Sequence, residues 1–561
     1  MSNYTELFMK KAELLLDKIC GGDFSVFDGF GSICGRYAAF ISVSDCENQA
    51  LIFRANSDSA KDAWNEAVSS ASSYISRKNL NPYWVKADMA VKGEKVSLDK
   101  VVSTVAKNYS RLFRRGISFD ENLDTALIEA EINCNDVISY KKKTIELTAV
   151  NKYLASKGMK TLAGLPESVI LFDCKSAFCD EKNNTFDLFG EGENCGRRFL
   201  NGCDKDTAKS VILTAGEYLA MQIGVDGKFD YGYYPLSHKA IPGYNILRHS
   251  SSIWSLLCSY RVSGDKFLLE QAESAIGFMV NNTFYKYRGK PAQENVVYLA
   301  EKTKNEVKIG GNAVAVILLT EYMDIVGNDK YKTLAIQLGN GILELFDSRD
   351  GSYFHVLKYP SLAPLDKFRT VYYDGECTFA LCRLYGLTHE QRFLEAASKA
   401  CDRFIKQDYT VYADHWVAYA LNELTKYLPE EKYLNFAMKN VQVNLKKIYN
   451  QRTTYHTYLE LLCASFELYK RIIGQNLKCS YLEKLDEKYF IRTIFRRAEY
   501  MLNGYCYPEY IMYFKHPETA LGAFFVRHDS YRIRIDDVQH FCSAYYSFYR
   551  NYEILKSMLD A

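Results

Sequence analysis

From about residue 200 onward, apolar positions recur with a helical period, in two distinct forms. Some segments carry a single apolar stripe. Leu268, Ala272, Ala275, Ile276 and Met279 form one. Tyr331, Leu334, Ala335, Leu338, Ile342 and Leu345 form another, and Phe393, Leu394, Ala397, Cys401 and Phe404 a third. Other segments, such as Ala313–Leu319 and Ser252–Tyr260, are apolar nearly all round. A striped helix covers a core from outside, and an all-apolar helix lies within it. The two forms alternate over twelve predicted helices, near 204–223, 246–262, 265–283, 311–327, 329–346, 375–387, 389–407, 414–427, 429–448, 454–473, 487–503 and 537–557. Such alternation predicts a closed ring of six helical hairpins, an (α/α)6 toroid over residues 200–561.

The connections alternate too. From an inner helix to the next outer one they are tight: Ser263-Gly264-Asp265, Gly327-Asn328-Asp329, Gly386–His389 and Leu428-Pro429. From an outer helix to the next inner one several are long: 224–245, 284–310, 347–374 and 504–536. Antiparallel helices then gather the long links on one face, and long links in a folded domain tend to carry function. A faint repeat supports the scheme. Asp226-Gly227 leads to Tyr234-Pro235, Asp350-Gly351 leads to Tyr359-Pro360, and Gly522 occupies the last long link. The D-G turns predict small hairpins on that face.

Residues 1–195 have another texture and are read as a smaller α+β domain. Arg36–Ser44 and Ala50–Ala55 predict a β-hairpin, and Ser57 a cap for a helix running to about Ser76. Trp84–Leu98 reads as a second hairpin turning at Lys92-Gly93. Helices near 99–114, 122–132 and 143–157 and a strand at Val169–Phe172 follow, and Asp180–Asn194 reads as a linker. The fold class expected is therefore mainly α, a toroid preceded by an α+β domain.

Composition narrows the function. The formal charge of +2, with acids and bases intermixed, leaves no footprint for nucleic acid or an anionic membrane. The N-terminus reads as an amphipathic helix and not as a signal peptide, and no membrane span is expected. The 16 cysteines show no paired spacing and read as reduced thiols, which gives a cytoplasmic expectation. No phosphate-cradling glycine loop, HExxH or GxSxG is found, so neither metal nor cofactor is expected. The 44 tyrosines suit both helix packing and sugar-binding walls.

Candidate chemistry lies where the inner helices begin. These stations are polar and aromatic although each opens an apolar helix, and in a toroid they converge on one funnel. They supply Tyr244, Asn245, Arg248 and His249; Asn312; Tyr372, Tyr373, Asp374 and Glu376; Asp414, His415 and Trp416; Tyr455 and His456; and Arg534, Asp536, Asp537, Gln539 and His540. Asp230 and Tyr233, in the first long link, join them. Asp374, Glu376, Asp414, Asp537, His249, His415 and His456 are the catalytic candidates, and the others are read as substrate-binding. Asp374, Asp414, Asp536 and Asp537 also fit as helix caps, and a single His is commonly a satisfied polar residue. Four of nine histidines, however, stand at such starts.

The motifs GKFDYGYYP (227–235), YNILRH (244–249), YYDGE (372–376), Asp414-His415-Trp416 and RIDDVQH (534–540) make residues 200–561 resemble the six-hairpin glycosidase-like superfamily. That superfamily includes glycoside hydrolases, N-acylglucosamine epimerases and the C-terminal domain of D-glucuronyl C5-epimerases. The resemblance implies a small-molecule or oligosaccharide substrate or a uronic-acid-containing glycan, whose uronate or hydroxyl groups Arg248 and His249 would bind, and two chemistries. Hydrolysis needs two carboxyl groups, roughly 6.5–9.5 Å apart for inversion, and Asp374 or Glu376 facing Asp414, Asp536 or Asp537 would supply them. Epimerisation or elimination needs an acid–base pair and a cation, for which His249, His415, His456, Tyr373 and Arg248 stand ready. Hydrolysis is the first expectation. A non-enzymatic helical scaffold is the third reading.

Overall fold

The computed structural model describes residues 3–107, 113–286 and 295–560. Its N-terminal part is an antiparallel sheet with helices. Leu51–Ser57, Tyr37–Ser44, Trp84–Ser97, Ser168–Cys179 and Gly116–Ser118 lie in that order, and Thr185–Leu188 also pairs with Ser168–Cys179. Helices α1 (Asn3–Cys20), α2 (Ala60–Lys78), α3 (Leu98–Lys107), α4 (Glu129–Cys134) and α5 (Leu147–Ser156) accompany it.

Four local expectations change here. Ser59, not Ser57, caps α2, its hydroxyl accepting the Asp62 N–H at 3.1 Å, because Ser57 is still paired in the sheet opposite Tyr37. Lys92-Gly93 is a bulge and not a hairpin turn. Val91 pairs with Asp173 and Glu94 with Leu171, so two residues face one, and Lys92 takes a φ of 54°. The helix expected near 122–132 shrinks to α4, since Leu123 sits at φ 65° and interrupts it. The expected linker contains an edge strand, Thr185–Leu188. The far end of the helix expected over 99–114 lies partly outside the described residues.

Residues 205–560 form the ring. In chain order its hairpins are α6 (Lys205–Met221) with α7 (Ile246–Ser263), α8 (Lys266–Asn282) with α9 (Ile309–Val326), and α10 (Lys332–Glu344) with α11 (Tyr372–Thr388). They continue with α12 (Gln391–Lys406) and α13 (His415–Tyr427), then α14 (Glu431–Tyr449) and α15 (Thr457–Gly474). The last pair is α16 (Glu487–Met501) and α18 (Ile535–Asp560), with the four-residue α17 (Pro508–Ile511) between them. The inner helices pack α7 on α9, α9 on α11, α11 on α13, α13 on α15, α15 on α18, and α18 back on α7, which closes the circle. The apolar all-round helices are the inner ones, as the pattern predicts. Residues 309–326 of α9 are long and apolar enough to cross a membrane by composition, and 78% of them are buried inside the ring.

Tight inner-to-outer links follow from left-handed caps. Gly264 (φ 69°) and Gly327 (φ 70°) return their N–H groups to Tyr260 and Met323. The predicted turn repeat is also present. Gly227, Gly351 and Gly522 take φ of 81°, 76° and 76°. A Cβ at each would lie 2.3, 2.5 and 2.6 Å from the backbone oxygen of Ser274, Lys399 and Thr214 respectively. These oxygens belong to α8, α12 and α6, each the next outer helix round the ring. The same turn locks three alternate hairpins to their neighbours, and only glycine admits both the backbone angle and the approach.

Across the axis, Trp254, Phe379, Trp416 and Tyr419 form an aromatic layer, with rings 5.6–6.4 Å apart. The layer closes the channel, so the inner-helix starts end in a blind cavity. The last long link, which walls this cavity, is held by the sheet. Ser42 Oγ meets Tyr513 Oη at 2.9 Å, the Ala50 N–H donates to Met512, and Arg198 pairs with Glu509 through two nitrogens at 2.7 and 2.9 Å.

Candidate active site

A cavity of about 480 Å³ opens at the inner-helix starts. Of the residues predicted for the site, Asn245, Arg248, Tyr372, Tyr373, Glu376, His415, Trp416, Tyr455, His456, Arg534, Asp536, Asp537, Gln539 and His540 line it. They come from the starts of five helices and the residues just before them, because alternate helices all begin on one rim.

Several candidates sit elsewhere, for physical reasons. Asp374 is buried and accepts from His355 Nε2 at 3.0 Å and Tyr409 Oη at 2.7 Å. His355 Nδ1 in turn accepts the Arg369 N–H at 2.9 Å, so its proton is on Nε2 and Asp374 anchors the preceding link. Asp414 caps α13, accepting the Trp416 N–H at 2.9 Å, and does not line the cavity. Asn312 accepts from Leu299 at 2.8 Å and donates to Val297 and Leu338 at 2.9 and 3.0 Å, tying α9 to its neighbours.

His249 is buried behind the first station. Its Nε2 donates to the Ala275 carbonyl at 2.9 Å, so Nδ1 accepts from Tyr244 Oη at 2.7 Å. Burial pushes this imidazole down to about 4. It is a neutral clamp on Tyr244. Tyr244, Asp230 and Tyr233 line a separate groove beside the cavity. Asn245 reaches the cavity wall but also caps α7 through the Leu247 N–H.

Within the cavity, arginines occupy two of the acids. Arg248 meets Asp536 at 2.8 Å, and Arg534 grips Asp537 through two nitrogens at 2.7 and 2.9 Å. Burial opposes ionisation of Asp536, but Arg248, His540 and Arg534 outweigh it and bring the group down to about 2. Glu376 is the opposite case. Burial, then the carboxylates of Asp414 and Asp536, hold it well above the usual carboxylate range. Its Oε2 is buried without a hydrogen-bond partner. Gly310 makes the space: a Cβ there would lie 2.2 Å from this oxygen. α9 begins at Ile309, ahead of the predicted 311.

The histidines gather around a residue the sequence reading missed, Glu460. It lies one turn along α15 from His456 and is fully buried. Its carboxylate accepts from His540 Nδ1 at 2.8 Å and Ser543 Oγ at 2.6 Å, and His415 Nε2 is 3.7 Å away. The available signal was an acid within a helix apolar all round, four residues after a histidine. Burial would lower His540, but the Glu460 carboxylate outweighs it and raises the imidazole above its ordinary value. His456 stacks on His540 with ring centres 4.7 Å apart and planes 5° from parallel. Burial and the adjoining His540 push His456 down to about 3. Two touching imidazoles thus favour opposite protonation states. His528 and Arg532, from the last link, complete the wall and were also missed.

His415, Glu460 and His540 place one ligand atom each within 4.8 Å of one another, a set chemically suited to a divalent cation. The His540–Glu460 and Ser543–Glu460 hydrogen bonds satisfy the carboxylate from the protein itself.

No protein-family model matches the sequence, and no curated protein matches it either. Solved structures of similar shape include a D-mannose isomerase, at 12% identity and a TM-score of 0.47, covering 63% of this chain and 100% of that one. A cellobiose 2-epimerase from Bacillus thermoamylovorans has 14% identity and a TM-score of 0.46, covering 61% and 99%. A glycoside hydrolase family 76 mannosidase from Bacteroides thetaiotaomicron has 13% identity and a TM-score of 0.34, covering 52% and 91%.

Proposed function

We propose that the cavity is the active site of a carbohydrate epimerase or isomerase, an enzyme that moves a proton at the carbon beside a sugar carbonyl. One observation carries this reading. His540, raised above its ordinary value by the Glu460 carboxylate, stacks on His456, which burial pushes down to about 3, in a blind polar cavity. A proton donor and a proton acceptor are what such a transfer requires. In the proposed reaction, His456 takes the proton from carbon and His540 protonates the carbonyl oxygen. Return of a proton from His456 to carbon and of the oxygen's proton to His540 completes the reaction, and Arg248 and Arg534 stabilise the negative charge that develops on the oxygen in each transfer. Tyr372, Tyr373, Tyr455 and Trp416 hold the ring. We further propose that residues 200–561 are the catalytic domain and 1–195 a bracing domain for the last link.

This ranks hydrolysis second. Asp374 and Asp414 are committed outside the cavity, and Asp536 and Asp537 to arginines. Glu376 keeps the hydrolytic reading alive, because a buried protonated carboxyl beside ionised Asp536 matches an acid and base of opposite character.

Deuterated water separates the two. Incubated with a panel of aldoses, ketoses and oligosaccharides, the protein is expected to place deuterium on carbon adjacent to the carbonyl. His540→Gln should cut that rate by about 10²–10⁴-fold. New reducing ends without deuterium, lost in Glu376→Gln and kept in His540→Gln, would overturn the proposal in favour of hydrolysis.

A further inference from the structure

The cavity holds roughly one sugar, but a larger depression adjoins it. A groove of about 1180 Å³ runs between the end of α6, the 224–245 link and the 505–522 segment. Tyr218, Phe229, Tyr231, Tyr233, Tyr244 and Tyr505 line it. Three of these rings are fixed by their polar tips. Tyr233 Oη donates to the Thr519 carbonyl at 2.8 Å, Tyr505 Oη meets Thr214 Oγ1 at 2.8 Å, and Tyr244 Oη is held by His249 at 2.7 Å. Rings immobilised in this way offer contact surface with little ordering cost. Flat apolar surface between hydrogen-bonding edges suits the alternating apolar and hydroxyl faces of a pyranose.

The charge of the groove is selective. Glu217, Asp226, Asp230 and Glu518 line it against Lys228 and His238. Carboxylates accept hydrogen bonds from hydroxyl and ammonium groups and repel other carboxylates. The groove and the cavity share a wall, with Tyr244 lining the one and Asn245 the other. Tyr231 lines the groove, and its carbonyl accepts the N–H of Ile535 at 3.2 Å, between the cavity residues Arg534 and Asp536. The strand Gly232–Tyr234 beside it pairs with Ile533–Arg534.

We infer that this groove binds the further units of the substrate, so that the substrate is an oligosaccharide of neutral or amino sugars, with its reacting end in the cavity and its remaining units on the tyrosine wall. The inference rests on the proposed sugar chemistry for the reaction, but the binding it asserts is measured independently of turnover.

Two measurements test it. In the first, binding of cellotetraose, mannotetraose, chitosan tetramer and tetragalacturonate is followed by titration calorimetry. One or more of the neutral or amino tetramers should bind at least tenfold more tightly than its monosaccharide, and tetragalacturonate should not. Glu217→Lys with Glu518→Lys, two exposed changes at the groove rim, should remove most of that gain and leave circular dichroism unchanged. In the second, deuterium exchange is compared between the best tetramer and its monosaccharide, and kcat/KM should rise with chain length in the native protein only. Chain-length preference in binding without any exchange would preserve the groove and defeat the epimerase reading. Exchange with no dependence on chain length, or preferred binding of the uronate tetramer, would overturn the groove and leave the epimerase reading standing.

Discussion

His249 and His540 occupy comparable stations, yet their surroundings drive them apart. His249 faces a backbone carbonyl and a tyrosine, and burial there disfavours its cation. His540 faces a carboxylate, and the cation is favoured. Residue type at a helix start was legible in the sequence; the partner of each ring nitrogen was not, because those partners lie on other helices. The sign of one consequence is definite. The folded-state value of His249, about 4, lies below the 6.5 of an unexposed-to-fold imidazole in the unfolded chain. Its contribution is complete above pH 6.5 and falls as pH drops toward 4, by about 3 kcal/mol. Urea midpoints measured from pH 7 to 4.5 should therefore fall less steeply for His249→Leu than for the native protein. Parallel slopes would contradict the assignment.

At the scale of elements, the helices were the most readable part. Stripe width distinguishes outer from inner helices because it records how much of each surface meets protein. The D-G turns were legible as turns. Their purpose was not, since the carbonyl each glycine touches belongs to a helix about 50 residues later or, for Gly522, about 300 earlier. Gly227→Ala should cost about 3 kcal/mol, from the positive φ and the contact with Ser274 together. Gly264→Ala, at a similar φ but with open space around it, should cost about 1 kcal/mol. Chemical denaturation of the two variants checks the difference, and equal losses would show that backbone angle alone matters. The α+β part was less readable. A Lys-Gly pair signals a turn equally well as a hairpin or a bulge, and only the partner strand decides between them.

For the whole molecule, the sheet and the ring are coupled through the last long link. Arg198 and Glu509 form a buried two-nitrogen pair, with Glu509 fully covered. Arg198→Met would leave a buried carboxylate without its cation, at a cost of about 3–5 kcal/mol. Arg198→Met with Glu509→Gln should recover much of that loss. A thermal unfolding series on both variants decides it, and a single variant as stable as the native protein would mean that the brace contributes nothing. Because that link carries His528, Arg532 and Arg534 into the cavity wall, the single variant should also weaken any ligand bound there.

Hydrophobic periodicity and link length, both local properties, were enough to specify six hairpins, their inner and outer members and the face on which the long links gather. Which polar side chains meet was decided by closure of the ring, which brings residues from 245 to 540 around one axis. Glu460 became the partner of His540, Asp374 and His249 turned inward as clamps, and Tyr244 and Asp230 passed to a neighbouring groove. The reason is geometric. A helix start sets the height of a side chain on the rim, whereas its direction depends on the packing of neighbours distant in sequence.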